Sequence, residues 1–272
     1  MNPLQEKAAK FRALHVRDRA FVIPNPWDVG TARLLAGLGF EALATTSAGF
    51  AFSLGRSDNA VSRAEMLAHI QVMANATTLP LSADLENGFG DTPDQVAETI
   101  RLAGASGLVG GSIEDATGRA GDPVYRFELA VERIRAAVQA AHALPFHFTL
   151  TARAENFIQG RPDLGDTIAR LQAYQEAGAD VLFAAGLSTS AEIAEVVRSV
   201  DRPVNVLMGA PGLDLTVDDL SAIGVKRISV GSAFSRAALG AFLAAANEVR
   251  DRGTFTFGRT ALPYRAANQL FA

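Results

Sequence analysis

No cysteine occurs anywhere in the 272 residues. That absence excludes disulfides, thiolate zinc sites and a catalytic thiol. Runs of lysine or arginine are missing as well, and the net charge is −4. The chain therefore carries no electrostatic footprint for nucleic acid. No stretch approaches the 18 or so consecutive apolar residues of a membrane span. The opening residues MNPLQEKAAKFRALHVRDR mix charges of both signs without an apolar centre, so they do not read as a secretory leader. A cytoplasmic protein with a small-molecule partner, and neither nucleic acid nor membrane, is expected. No GxGxxG follows the first strand-like run and no P-loop occurs, which removes the usual signatures of nucleotide-binding open sheets.

What is present is an alternation. Hydrophobic residues make up 49% and charged residues 20%, the shares of an ordinary globular chain. Strand-like runs fall at residues 21–24, 42–46, from 81 onward, and at 107–113, 146–151, 181–185, 203–208 and 227–230. Helical stretches lie between them. The first has Leu4, Ala8, Phe11 and Leu14 spaced three or four apart, which is helical periodicity. Others are expected at 29–37 with Asp28 as cap, at 64–75, from Thr92-Pro93-Asp94, at 127–141, at 166–177 before Gly178, and at 234–249. Residues 47–62 read as a long loop, and the last 22 residues as a partly irregular extension. Eight strand–helix units without a linker predict one α/β domain over 1–272, a (β/α)₈ TIM barrel of parallel strands. An open, doubly wound sheet is the alternative.

The segment LSADLENGFG (81–90) turns abruptly from apolar to acidic. Side chains alternate along a strand, so Ser82, Asp84 and Glu86 share one face and Leu81, Ala83 and Leu85 the other. Two carboxylates at a strand's C-terminal end fit either a salt-bridged acid pair or a site for a hard cation such as Mg²⁺. Other strand ends resemble it. Thr46-Ser47, Glu114-Asp115, Arg153 with Glu155, and Gly231-Ser232 all fall where barrel enzymes keep their chemistry. Ser112 and Glu114 share a parity, as do His147, Thr149, Thr151, Arg153 and Glu155. A structural ion-pair network remains compatible with this pattern. So does a metal beside an arginine able to clamp a carboxylate bidentately. His15 and His69 read as packing or surface residues, and His147 as a core histidine below the mouth. Gly231-Ser232 reads as a helix cap or a phosphate cradle.

The set TTSAGFAFSLGRSD, ADLENGFG, SIEDATG and TARAENFI, with the later PVNVLMGAPG and GVKRISVGSAF, resembles the isocitrate lyase/phosphoenolpyruvate mutase superfamily. The resemblance is nearest to its phosphonomutase-like branch of unassigned substrate. It implies that Asp84 binds Mg²⁺ (Mn²⁺ being possible), and that Glu86 and Glu114 orient the metal's waters. Arg153 would grip a substrate carboxylate. The hydroxyls and N–H groups of Thr46, Ser47 and Ala48 would hold an oxo acid, with Asn205 a further substrate contact. Asp58 would lie over the metal. The family fold further implies an eighth helix exchanged between subunits of a homodimer or homotetramer.

Departures from the family pattern are specific. The lyases' Lys-Lys-Cys-Gly-His loop is replaced by DATGRAGDPVYRF, Ala44 stands where an aromatic residue is common, and Glu86 replaces the commoner aspartate. The tricarboxylate-binding pair expected near the seventh strand is not recognisable in NVLMGAPG. These differences point away from isocitrate or methylisocitrate cleavage. The expected activity is a Mg²⁺-dependent lyase or hydrolase of a small 2-oxo or 2-hydroxy dicarboxylate. It would work through an enolate, with Asp58, Arg153 and Glu114 as catalytic residues. Phosphonate P–C chemistry, or oxo-acid binding without turnover, are the alternatives. Residues 116–126 are expected to form a lid bringing Arg119 and Arg126 over the substrate.

Overall fold

The computed structural model describes residues 2–271. Its eight strands are β1 (Phe21–Ile23), β2 (Leu43–Ala44), β3 (Leu81–Asp84), β4 (Gly110–Glu114), β5 (Thr149–Ala154), β6 (Val181–Ala184), β7 (Val204–Leu207) and β8 (Arg227–Ser229). All pairs are parallel, in the order β1-β8-β7-β6-β5-β4-β3-β2. The seam between β1 and β2 is bridged by Ala44 N–H donating to the Pro24 carbonyl at 3.1 Å. Asn25 adds a second tie there through its side chain, which donates to the Thr45 carbonyl at 3.0 Å. The (β/α)₈ barrel expected from the alternation is therefore the fold.

The helices are α1 (Pro3–Leu14), α2 (Val29–Gly37), α3 (Ser47–Ser53), α4 (Arg63–Ala76), α5 (Pro93–Ala105), α6 (Phe127–His142), α7 (Leu164–Glu176), α8 (Ser190–Arg198), α9 (Val217–Ile223), α10 (Ala233–Arg252) and α11 (Tyr264–Gln269). Capping chemistry starts several of them where the sequence indicates. Asp28 and Thr92 both form capping boxes, with Pro93 in the first turn of α5, so N–H groups left free by the helix are satisfied.

Helix α1 closes the bottom of the barrel. Its Ala8, Phe11 and Leu14 pack on Phe21, Ile23, Ala42 and Val109 in a cluster separate from the outer core. A side chain at Gly110 would place its Cβ 2.8 Å from the Phe11 ring and from the Thr149 carbonyl, so glycine is required for that plug to seat. The main core lies between strands and outer helices, where Leu81, Leu85, Ile100, Ile113, Ile134 and Leu150 are buried.

Three local expectations are corrected. The ladder between the fourth and fifth strands begins only at Gly110 opposite Thr149 and ends at Glu114 opposite Arg153, so β5 starts three residues later than 146. His147 precedes it at the barrel base, half-buried and 3.6 Å from Asp180, and is not a core residue. The loop 47–62 contains α3, capped by Thr46 Oγ1 accepting from Gly49 N–H at 3.2 Å. Its small and aromatic residues carry no apolar period to announce it.

Candidate active site

A cavity of about 1110 Å³ opens at the C-terminal ends of the strands. Thr46, Ser47, Ala48, Asp58, Asp84, Glu86, Glu114, Arg153 and Asn205 all line it. These nine residues are thus brought to one place. Their geometry refines the roles implied by resemblance.

Asp84 ends β3, and its position is set by three hydrogen bonds with two neighbours, Thr45 and Ser47. Its N–H donates to Thr45 Oγ1 at 3.1 Å, while its Oδ2 accepts from Ser47 Oγ at 2.7 Å and from Ser47 N–H at 3.3 Å. Ser47 therefore faces Asp84 rather than offering both donors to a ligand. Glu86 does not continue the strand alternation. Its φ is 50°, a left-handed conformation costing roughly 1–3 kcal/mol for a non-glycine residue. The turn still delivers its carboxyl to the cavity, where Oε1 is buried without a hydrogen-bond partner.

Arg153 lies among the carboxylates. Its Nε pairs with Glu155, and its Nη1 lies 3.4 Å from Glu114 and 3.9 Å from Asp84. The Phe183 ring lies 4.9 Å from the guanidinium carbon, adding a cation–π contact. Burial opposes the charge on Arg153, yet Glu155, Glu114 and Asp84 hold its pKa above the usual arginine value. Burial, followed by the nearby Glu155, pushes the Glu114 carboxyl well up. Glu86 is raised to about 8 by burial, then by Asp84 and Asp58. Asp58 sits exposed on the rim, its carboxyl raised by partial desolvation and then by Asp84.

Asp115 is a correction. Although adjacent to Glu114, it turns behind the site with only 3% of its surface exposed. Arg170 Nη1 donates to it at 3.1 Å, Tyr174 Oη at 2.6 Å and Glu155 N–H at 2.8 Å. It is a structural anchor that fixes the backbone of Glu155.

Further supporting residues were not singled out in the sequence. Asn25 Oδ1 accepts from Val230 N–H and Gly231 N–H, both at 2.9 Å. With its bond to Thr45 it joins the ends of β1, β2 and β8 beneath the mouth. Gly231 N–H is consumed in that contact, and Ser232 makes no side-chain cap. Buried Arg133 on α6 donates to the carbonyls of Asn87, Gly90 and Asp91 and lies 4.0 Å from the Tyr125 ring centre. It fixes the acidic turn after β3. Only the polar residues beside otherwise apolar strand ends and helix faces signalled these positions.

The 116–126 segment is an ordered hairpin-like loop on the cavity rim. Ala116 bridges Val124, Thr117 N–H donates to the Pro123 carbonyl at 2.8 Å, and Arg119 pairs with Asp91 at 2.9 Å. Arg126 is exposed outside the cavity lining, contrary to its expected place over the substrate.

The donor set fits a hard cation that retains part of its water shell. Among the described residues no three histidine, cysteine or carboxylate side chains form a closed cage. Mg²⁺ does not need one, since it commonly uses one or two carboxylates, waters and substrate oxygens. An orphaned Glu86 oxygen beside Asp84 and Glu114 is the kind of like-charged, buried cluster that a cation relieves.

The chain matches the Phosphoenolpyruvate phosphomutase family profile over residues 11–250. It is 30% identical over 267 residues to the 2-methylisocitrate lyase of Escherichia coli, covering 92% of this chain and 87% of the enzyme. A crystal structure of a putative lyase/mutase from Burkholderia cenocepacia J2315 superimposes with a TM-score of 0.97 at 62% identity, covering 100% of this chain and 98% of the other. Phosphonopyruvate hydrolase complexed with oxalate and Mg²⁺ gives a TM-score of 0.85 at 27% identity, covering 97% and 94% respectively.

Proposed function

The chain belongs to the phosphoenolpyruvate phosphomutase family, within the isocitrate lyase/phosphoenolpyruvate mutase superfamily; from that premise we propose a Mg²⁺-dependent enzyme of small 2-oxo or 2-hydroxy dicarboxylates. The reaction is the breaking or forming of a C–C bond through an enolate, by lyase or hydrolase chemistry. The single observation supporting this reading is the convergence of Asp84, Glu86, Glu114 and Arg153 in one cavity at the strands' C-terminal ends. Its relatives include a 2-methylisocitrate lyase and a phosphonopyruvate hydrolase complexed with oxalate and Mg²⁺.

Asp84 would hold the cation, directly or through water, and Glu86 and Glu114 would orient its waters. Mn²⁺ suits the same oxygen donors. When bound there, the cation would supply Lewis-acid stabilisation of charge developing on the substrate. Arg153 carries a positive charge that Glu155 and Glu114 keep in place, and it orients the substrate carboxylate. Thr46 and Ala48 border the same end of the ligand, and Asn205 lies deeper. The loop 116–126 limits water access from the rim. Asp58, whose raised carboxyl retains a proton more readily than a free aspartate, accepts or returns the proton at its carboxyl oxygen. Glu114, deeper in the mouth, acts with it as a second acid.

One observation favours a second reading, P–C bond chemistry: the structural likeness to phosphonopyruvate hydrolase. A panel of oxaloacetate, phosphoenolpyruvate, phosphonopyruvate and substituted malates with Mg²⁺ separates the two. Turnover of a C–C substrate is expected; turnover of phosphonopyruvate alone selects the second reading. Micromolar binding with no turnover contradicts both and leaves a binding protein.

The eighth helix also enters the proposal. Helix α10 and the segment after it carry exposed Phe242, Leu243, Phe255 and Tyr264, and exposed large apolar side chains concentrated on one stretch of chain are the kind that mark a contact surface. We place this arm against a second copy in a homodimer or homotetramer, with helix exchange the family's arrangement. No described helix is long and apolar enough to cross a membrane, and a cytoplasmic location is part of the same reading.

A further inference from the structure

A second polar cluster lies deeper in the barrel than the carboxylates. Arg227 opens β8, and only 5% of its surface is exposed. Its Nε donates to Asn205 Oδ1 at 2.8 Å, and Asn205 Nδ2 donates to Ser229 Oγ at 3.0 Å. These bonds fix the guanidinium plane. Its Nη1, however, is buried with no hydrogen-bond partner. Among the described residues no carboxylate forms an ion pair with it, although at the mouth three acids lie within 4 Å of Arg153.

A buried arginine with an unused donor and no counter-charge is costly. Water would satisfy the donor but not the charge. An anion does both, and a guanidinium matches a carboxylate especially well. Burial lowers the Arg227 pKa to about 9, so the side chain remains cationic at neutral pH. Arg227, Asn205 and Ser229 line the same cavity as Asp84 and Arg153, so a ligand at the mouth has a continuous route to them. On β5, Thr149 and Thr151 add buried hydroxyls without partners, which suits a lumen holding a small polar guest.

We propose that Arg227, oriented by Asn205 and Ser229, anchors an anion subsite on the barrel floor that takes a carboxylate or another small monovalent anion. The anion is either the far carboxylate of the substrate or a free ion. Only the first assignment rests on the oxo-acid reading of the mouth.

Two measurements test the subsite on the full-length protein. Wild-type crystals soaked in bromide and read by anomalous scattering should show an ion within hydrogen-bonding distance of Arg227 Nη1. Calorimetry with Mg²⁺ should then compare oxalate, the two-carbon diacid, with the longer oxaloacetate and 2-oxoglutarate. If the far carboxylate is the guest, Arg227→Met weakens at least one longer diacid tenfold or more and leaves oxalate within twofold. If a free ion is the guest, diacid affinities hold and the bromide peak disappears in Arg227→Met crystals. Should Arg227→Met fail to fold, Arg227→Lys serves for calorimetry and the wild-type crystal for the ion. Bromide at surface sites only, together with unchanged diacid affinities, overturns the proposal. Failure of oxalate to bind would instead count against the reading of the mouth, and the bromide result would stand apart from it.

Discussion

Arg153 is a cation held by Glu155, Glu114 and Asp84, so its charge and its fork geometry are both in use. A lysine keeps the charge but cannot reproduce two parallel N–H donors. Arg153→Lys is therefore expected to lose about 1.5–3 kcal/mol of oxo-acid affinity, the range for hydrogen bonds to charged groups. Calorimetry with oxalate and Mg²⁺ checks this, and unchanged affinity would remove Arg153 from the site. A second residue-scale prediction concerns His15. It is buried with its Nδ1 2.9 Å from the Phe11 carbonyl. Burial, with Arg227 and then His147 opposing a second positive charge, lowers its pKa to about 3 against the bonded carbonyl. Between about 3 and 6.5 the unfolded chain binds the additional proton, so this contribution to stability is lost as pH falls through that window. From pH 7 to 5, His15→Leu should lose about 2 kcal/mol less unfolding free energy than the wild type. Equal losses in denaturant titrations of the two proteins would contradict the assignment. His69 acts in the same direction, with burial lowering it to about 4, but it is common to both proteins and cancels.

At the scale of elements, the loop 116–126 is the part whose behaviour matters most. It is tied across its neck by Ala116 and Val124 and to the neighbouring turn by Arg119 and Asp91. Gly118 at φ 74° supplies the left-handed turn residue in between. The Arg119–Asp91 pair is exposed, so it is a weak latch. Hydrogen exchange across 116–126 should slow when Mg²⁺ and an oxo acid are both present. Equal exchange in the two states, with full activity in Arg119→Ala, would make it only a connection. The elements were legible in the sequence where local chemistry marks them. Asp28 and Thr92 announced their helices through capping, and the parity of Ser112 with Glu114 pointed inward correctly. Helix α3 was not legible, because Thr46 caps it but Ser47-Ala48-Gly49 gives no apolar period. Glu86 reached the site for a reason other than the one its parity suggested, since a left-handed turn and not a strand presents it. Asp115 was misplaced because its partners, Arg170 and Tyr174, lie 55 and 59 residues away in the chain.

For the whole molecule, eight short strands bring residues from Asn25 to Ser229 into one mouth, while α1 plugs the opposite end. The barrel was readable because every unit repeats the same alternation. Arg227 was less so: a basic residue at a strand start, next to Lys226, shows no counter-charge in sequence, and only the closed barrel reveals that no carboxylate among the described residues pairs with it. The central claim is that this mouth assembles a Mg²⁺ site on Asp84. Its most direct test is the melting temperature of the wild type and of Asp84→Ala, titrated with Mg²⁺. A ligand at about 100 times its Kd stabilises the folded state by about 2.7 kcal/mol. The account predicts a saturable rise for the wild type, enlarged by oxalate, and none for a folded Asp84→Ala. The same rise in both proteins would contradict it.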